Sequence, residues 1–222
     1  MNRPPPVHVL HIGKTGGTAI RAALAPVADA RGLRLHDHRM TLARVPDGEQ
    51  AVFFVRDPVT RFVSGFNSRL RKGLPGRHSR HTVEEEIAFQ EFRTANELAE
   101  GLLAHESFRR SMAEMAMTAI GHVGTRLTDV LDSAAYVASR RRDIALFGFQ
   151  ETLERDFSRL KHVLSLPEDV ALPGDEIASH RTPPGFDTEL SARGRRAIER
   201  WYRADIALYR RLREIAARWF GP

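Results

Sequence analysis

The 222-residue sequence contains no cysteine. That removes a disulfide framework, a thiolate nucleophile and a cysteine-ligated zinc site from consideration. No apolar run approaches the roughly 20 residues that a membrane-spanning helix needs. The start, Met1-Asn-Arg-Pro-Pro-Pro6, lacks the apolar centre of a secretory signal and leads directly into a strand-like segment. A cytoplasmic protein without a transmembrane segment is therefore expected. Basic blocks are short and none is interleaved with aromatics, so a nucleic-acid partner is not expected. No internal repeat is present. What remains is ordinary globular composition, 42% hydrophobic and 28% charged. The length suits one domain spanning residues 1–222. Net charge is +6 with a pI near 10.4, carried mostly by arginine, and this suits an anionic cofactor or acceptor.

The stretch around which the chain is organised is His11-Ile-Gly-Lys-Thr-Gly-Gly-Thr18. Before it, Val7, Val9, Leu10 and Ile12 read as a buried strand. After it, Ala19 to Ala28 reads as a helix that Pro26 should end or kink. A strand, a glycine-rich turn and a helix start together make an anion site, because helix N-terminal N–H groups point at the bound charge. Lys14 adds a point charge, and Thr15 and Thr18 add hydroxyls. Walker A would require a glycine at position 8, five before the Gly13-Lys14 pair, and His8 stands there. The loop binds phosphate by another pattern, with its glycines after the lysine.

Further along, Leu33 to His38 reads as a short strand or its exit, and Pro46-Asp-Gly48 as a turn. Ala51 to Val55 is a continuous apolar run, the mark of a strand covered on both faces. Asp57 should cap a helix that starts at Pro58 and runs to about Lys72. Gly73 to His81 is a basic loop. From a cap near Thr82 the pattern is helical to about Ile120, with Phe89, Phe92, Leu98, Leu102, Leu103, Phe108, Met112 and Met115 as expected core. Leu131 to Arg141 reads as a helix with Arg140-Arg-Arg142 at its surface end. Ile144 to Phe149 reads as a strand, Glu151 to Leu166 as a helix, Pro167 to Asp187 as irregular, and Ser191 to Trp219 as one last helix. Strands alternating with helices predict an α/β, P-loop-like three-layer fold with a central mostly parallel sheet flanked by helices.

A second motif, Arg56-Asp-Pro-Val-Thr-Arg-Phe-Val-Ser64, repeats the strand-to-helix exit with an arginine fork and a hydroxyl, groups suited to a phosphate monoester. The two motifs together resemble the 5′-phosphosulfate loop and the 3′-phosphate motif of sulfotransferases that use 3′-phosphoadenosine-5′-phosphosulfate (PAPS). The likeness is greatest to the carbohydrate branch, including the heparan sulfate 2-O-sulfotransferases, and its bacterial relatives. There the loop reads His-Ile-Pro-Lys-Thr-Gly-Gly/Ser-Thr and the second motif Arg-Asp-Pro-x-x-Arg-x-x-Ser. This chain departs at Gly13, where proline is usual. Weaker likenesses are His36-Asp-His38 to a His-x-His that holds the proposed base, Arg77 to His81 to an acceptor loop, and Phe147 to Glu151 to a later strand-helix segment. The His180-Arg-Thr182 region resembles a loop that closes over the cofactor.

The resemblance implies a PAPS-dependent sulfotransferase that releases PAP and sulfates a hydroxyl of a carbohydrate or glycoconjugate, an acidic one being compatible with the charge. Lys14 would face the oxygen bridging sulfur and the 5′-phosphate. Thr15, Gly16, Gly17 and Thr18 would bind the 5′-phosphate, Arg56 and Ser64 the 3′-phosphate, and Arg181 would assist. His36, then His38, is the expected base, with His11 structural and His8 and His105 without a role. No metal is required. Two alternatives stand beside it: a P-loop nucleotide-dependent kinase, and a non-catalytic relative that holds PAP or a sulfated glycan.

Overall fold

A computed structural model describes residues 5–76, 78–174 and 185–221. Its strands are β1 (Val7–Val9), β2 (Leu33–Leu35), β3 (Gln50–Val55) and β4 (Ile144–Phe149). They form one sheet in the order β2-β1-β3-β4, with every neighbouring pair parallel. Parallel neighbours cannot be joined by a hairpin, so each connection must return the chain along a face of the sheet. The fold is α/β, with a central parallel sheet flanked by helices.

Two compact units make up the chain. The first lies within Met1–Arg56, Leu127–His180 and Ala207–Pro222, and it contains the sheet. Alternation along β3 shows why the run Ala51–Val55 is apolar throughout. Ala51, Phe53 and Val55 join a core with Leu127, Leu131, Leu208 and Leu212, while Val52 and Phe54 join another with Ile20, Leu24, Phe157 and Leu160. A strand that feeds two cores has no face left for a polar residue. The three-layer expectation holds in this unit. Pro26 acts as expected: the helix Gly17–Leu24 passes into a 3-10 turn at Ala25–Val27 before resuming at Ala28–Arg31.

The second unit lies within Asp57–Arg126 and Arg181–Ile206, and its described secondary structure is helical. It begins as expected, with Asp57 accepting a hydrogen bond from Thr60 N at 2.9 Å and Pro58 opening the helix Pro58–Leu70. Phe62, Phe66, Phe89, Phe92, Leu98, Met117 and Ile198 form its core. The second arginine of the second motif, Arg61, is only 2% exposed and donates to the carbonyl of Thr125 at 2.8 Å.

Five expectations need correction. The helical stretch up to Ile120 is three helices, Val83–Glu91, Ala95–Gly101 and Ser107–Ala119, because Thr94 accepts from Glu97 N and starts a new helix. Phe108, expected in the core, is 65% exposed in the first turn of the third. Leu131 to Arg141 is broken into Leu127–Leu131 and Ala134–Ser139, with Ser133 capping the second. Arg140 is not a surface residue: it is buried, pairs with Asp143 at 2.8 Å and donates to the carbonyl of Val45 at 2.9 Å. The last helix is two, Ala192–Trp201 and Arg203–Phe220, and the chain turns at Tyr202. The Tyr202 phenol is buried and donates to Val123 O at 2.7 Å, which holds the turn in place.

Candidate active site

The order β2-β1-β3-β4 gives the sheet a switch point. From β1 the chain moves outward to β2, then returns to the other side of β1 for β3, so the exits of β1 and β3 diverge. The crevice at the carboxyl ends of two such strands is where open parallel sheets bind ligands. Both phosphate motifs leave the sheet there, the glycine-rich loop from β1 and Arg56 from β3. A hydrogen bond joins them, from Arg56 Nη1 to Lys14 O at 3.4 Å.

Backbone geometry explains the composition of the loop. Gly16 (φ 86) and Lys14 (φ 67) both lie in the left-handed region. Glycine adopts it without penalty; a lysine there carries strain of about 1 kcal/mol or more and persists only where its surroundings hold it. Thr15 supplies part of that hold, since it is 1% exposed and its hydroxyl donates to Ile12 O at 2.9 Å. Its single proton is therefore directed into the loop, and what Thr15 can give an anion is its backbone N–H. Gly16 precedes the helix Gly17–Leu24 with no side-chain cap hydrogen bond, and Thr18 lies in the first turn. At Gly17 an added Cβ would stand 2.2 Å from Cδ2 of His11. The His11 ring fills the space that glycine leaves, in line with the structural role expected of it.

His11, His36 and His38 follow the carboxyl ends of β1 and β2. His38 Nδ1 lies 3.0 Å from the carbonyl of His11, so that nitrogen carries the proton and the neutral ring holds its lone pair on Nε2. The two rings pack with centroids 4.1 Å apart. Leaving β2, His36 is half-buried and shares a small cleft with His11, Thr15, Gly17 and Arg21. Burial lowers the pKa of His36 below the ordinary imidazole value, and the charges of His8, Arg34 and Arg21 push the same way against a smaller opposing effect of Asp37. Its neutral, proton-accepting form is thereby favoured.

Ser64 is buried on the helix Pro58–Leu70 of the second unit. In the basic loop, His81 Nε2 donates to Arg69 O at 2.7 Å and its ring packs on Phe89, so it braces the loop. Arg77, His180, Arg181 and Thr182 lie outside the described residues.

A helix N-terminus, a cradle too narrow for a Cβ, an ammonium and a guanidinium at one switch point form a donor set that fits a phosphosulfate group. A parallel α/β protein with such a loop is first of all a phosphoryl- or sulfuryl-group binder. The sulfotransferase family model matches residues 7–210, nearly the whole chain, and the protein belongs to that family. No curated protein and no solved structure matches it. Among the described residues, no helix is long and apolar enough to cross a membrane.

Sequence reasoning passed over Glu49 and gave His8 no role, yet both touch the chain of side chains that ends at His36. The signal for His8 was present: it interrupts the apolar run Val7–Leu10 of a strand flanked on both sides. A buried imidazole in such a place requires partners. Nothing in the sequence pointed to Glu49 as one of them.

Proposed function

We propose that this chain transfers the sulfuryl group of PAPS to a hydroxyl of a carbohydrate or glycoconjugate, in the manner of the heparan sulfate 2-O-sulfotransferase branch, and releases PAP. The reading includes a cytoplasmic enzyme in which residues 1–222 work as one domain. The family match supports the latter, since it includes segments of both compact units. The observation that carries the proposal is the meeting of the Lys14 loop and Arg56 at the β1/β3 switch point, with His36 and Gly17 on one cleft.

Bound PAPS would supply an activated sulfuryl group on a phosphate leaving group. The backbone N–H groups of Gly16, Gly17 and Thr15, with the Thr18 hydroxyl, hold the 5′-phosphate. Lys14 holds the bridging oxygen, where negative charge grows as the bond to sulfur breaks, and a fixed charge there favours the transition state over the ground state. Arg56 and Ser64 hold the 3′-phosphate and so fix the direction of attack. Arg181 assists them. His36 removes the acceptor proton, being neutral near physiological pH; His38 is the second candidate.

Calorimetry with PAP, ATP and ADP separates this reading from a kinase. Tight PAP binding with negligible ATP binding is expected, and the reverse would sink it. Arg56→Ala should weaken PAP roughly 100-fold, the worth of a charge-assisted bidentate contact. Lys14→Ala should leave PAP affinity nearly unchanged while lowering turnover by roughly 100-fold or more. Labelled PAPS offered with a panel of neutral and acidic saccharides identifies the acceptor; transfer to none of them, with PAP still bound, would favour the non-catalytic relative.

A further inference from the structure

β1 carries one polar side chain within its apolar run. His8 is 3% exposed and stands between two partners. Its Nδ1 lies 2.9 Å from Nε2 of His36, and its Nε2 contacts a carboxylate oxygen of Glu49. The two imidazoles are nearly parallel, at 10°, with centroids 5.0 Å apart. Glu49 follows the turn Pro46-Asp-Gly48, and the same oxygen lies 3.4 Å from Arg34 Nη1. Among the described residues no three such groups converge on a metal position, and these three contact one another in sequence.

With both imidazoles neutral, the ends of this chain place its protons. A carboxylate only accepts, so Nε2 of His8 carries the proton of that contact. Nδ1 of neutral His8 is then an acceptor, and its contact with His36 requires Nε2 of His36 to donate. The lone pair of His36 is left on Nδ1. We propose that Glu49 and His8 are positioning residues that set His36 in its Nε2–H tautomer and accept the charge it gains when it takes a proton.

The inference rests on His36 as the base. As the acceptor O–H bond breaks, its proton forms a bond to Nδ1 of His36, the oxygen's electron pair forms the new bond to sulfur, and the electron pair of the broken bond between sulfur and the bridging oxygen would leave with PAP. The Nε2 proton of His36 passes to Nδ1 of His8. The resulting imidazolium contacts the Glu49 carboxylate directly, an anion it shares with Arg34, whereas His36 lies near Arg21 and Arg34 and has only Asp37 opposing them. Arg21 Nη1 also holds the carbonyls of Leu35 and His36, at 3.2 and 3.1 Å, which fixes the backbone from which His36 projects.

Nitrogen-15 NMR of histidine-labelled protein without ligand reads the tautomers, with His36 assigned by the loss of its signals in His36→Ala. The Nε2–H form of His36 is expected above its titration, and the Nδ1–H form would overturn the proposal. Glu49→Gln keeps the shape and removes the charge. The coupled His8–His36 pair should then take up its proton at a lower pH, and turnover of labelled PAPS on the best saccharide of the panel should fall roughly tenfold or more with KM unchanged. Glu49→Asp should restore most of both. A titration unmoved in Glu49→Gln defeats the relay alone. Full activity in His36→Ala defeats the base assignment and the relay with it.

Discussion

At Gly17 a single hydrogen in place of a methyl group decides whether the anion loop can close. The His11 ring lies where a Cβ would project, and the carbonyl of the same histidine holds Nδ1 of His38. Gly17→Ala must therefore displace the ring, and the loop from which Lys14 extends is expected to shift with it. Overpacking of this kind costs about 1–3 kcal/mol. The expected outcome is a fall in PAP affinity of roughly tenfold or more with the protein still folded, measured by calorimetry beside a thermal melt. Unchanged affinity would mean that the His11 ring moves aside without disturbing the loop. At this scale the sequence was legible where a turn is written in neighbouring residues, as in the glycine-rich loop around Gly16 and Gly17. It was silent where a role depends on a partner far along the chain. Glu49 lies 41 residues from His8, and only the pairing of β1 with β3 brings them together.

Helix ends show the same division. Asp57-Pro58 was read correctly because cap and first residue are adjacent. Thr82 also was, and its hydroxyl accepts from Glu85 N at 3.2 Å while the Glu85 carboxylate accepts from Thr82 N at 3.0 Å. This capping box satisfies two donors that the first turn would otherwise leave exposed. Thr82→Ala should cost about 1 kcal/mol by urea denaturation, and a null effect would show that Glu85 alone holds the helix start. The break before Ala95 was equally legible: Thr94 and Glu97 stand at the same spacing, and the Glu97 carboxylate accepts from Arg93 N at 2.6 Å. It was missed because the apolar pattern continues across it, and hydrophobic periodicity does not register a change of axis. The break at Tyr202 left no such mark, since a buried tyrosine suits a continuous helix as well as a turn.

Across the molecule, acid should act on the two compact units through different groups and in different pH ranges. In the first, the His36 pKa is lowered by burial and nearby positive charge. The unfolded chain therefore binds that proton more readily than the folded one. Stability from this source is complete above the unfolded imidazole value, near 6.5, and is lost as pH falls from there through the lowered value. In the second unit, burial pushes the Glu85 carboxyl up, but hydrogen bonds from Arg69, Gly121 N and Thr82 N, with the Arg69 charge, outweigh it and hold the pKa at about 2. Here the unfolded carboxylate is protonated first, so stability present above about 4.5 is lost as pH falls toward 2. Urea denaturation at a series of pH values should show a shallow decline below neutrality followed by a steeper one under pH 4.5. Glu85→Gln should cost about 3 kcal/mol at neutral pH, because it leaves the Arg69 guanidinium buried without its anion, and it should remove the steep part of the acid decline. Retention of that steep part in Glu85→Gln would assign it to other carboxylates. His36→Gln should flatten only the shallow part, and this separates the titration of the first unit from that of the second.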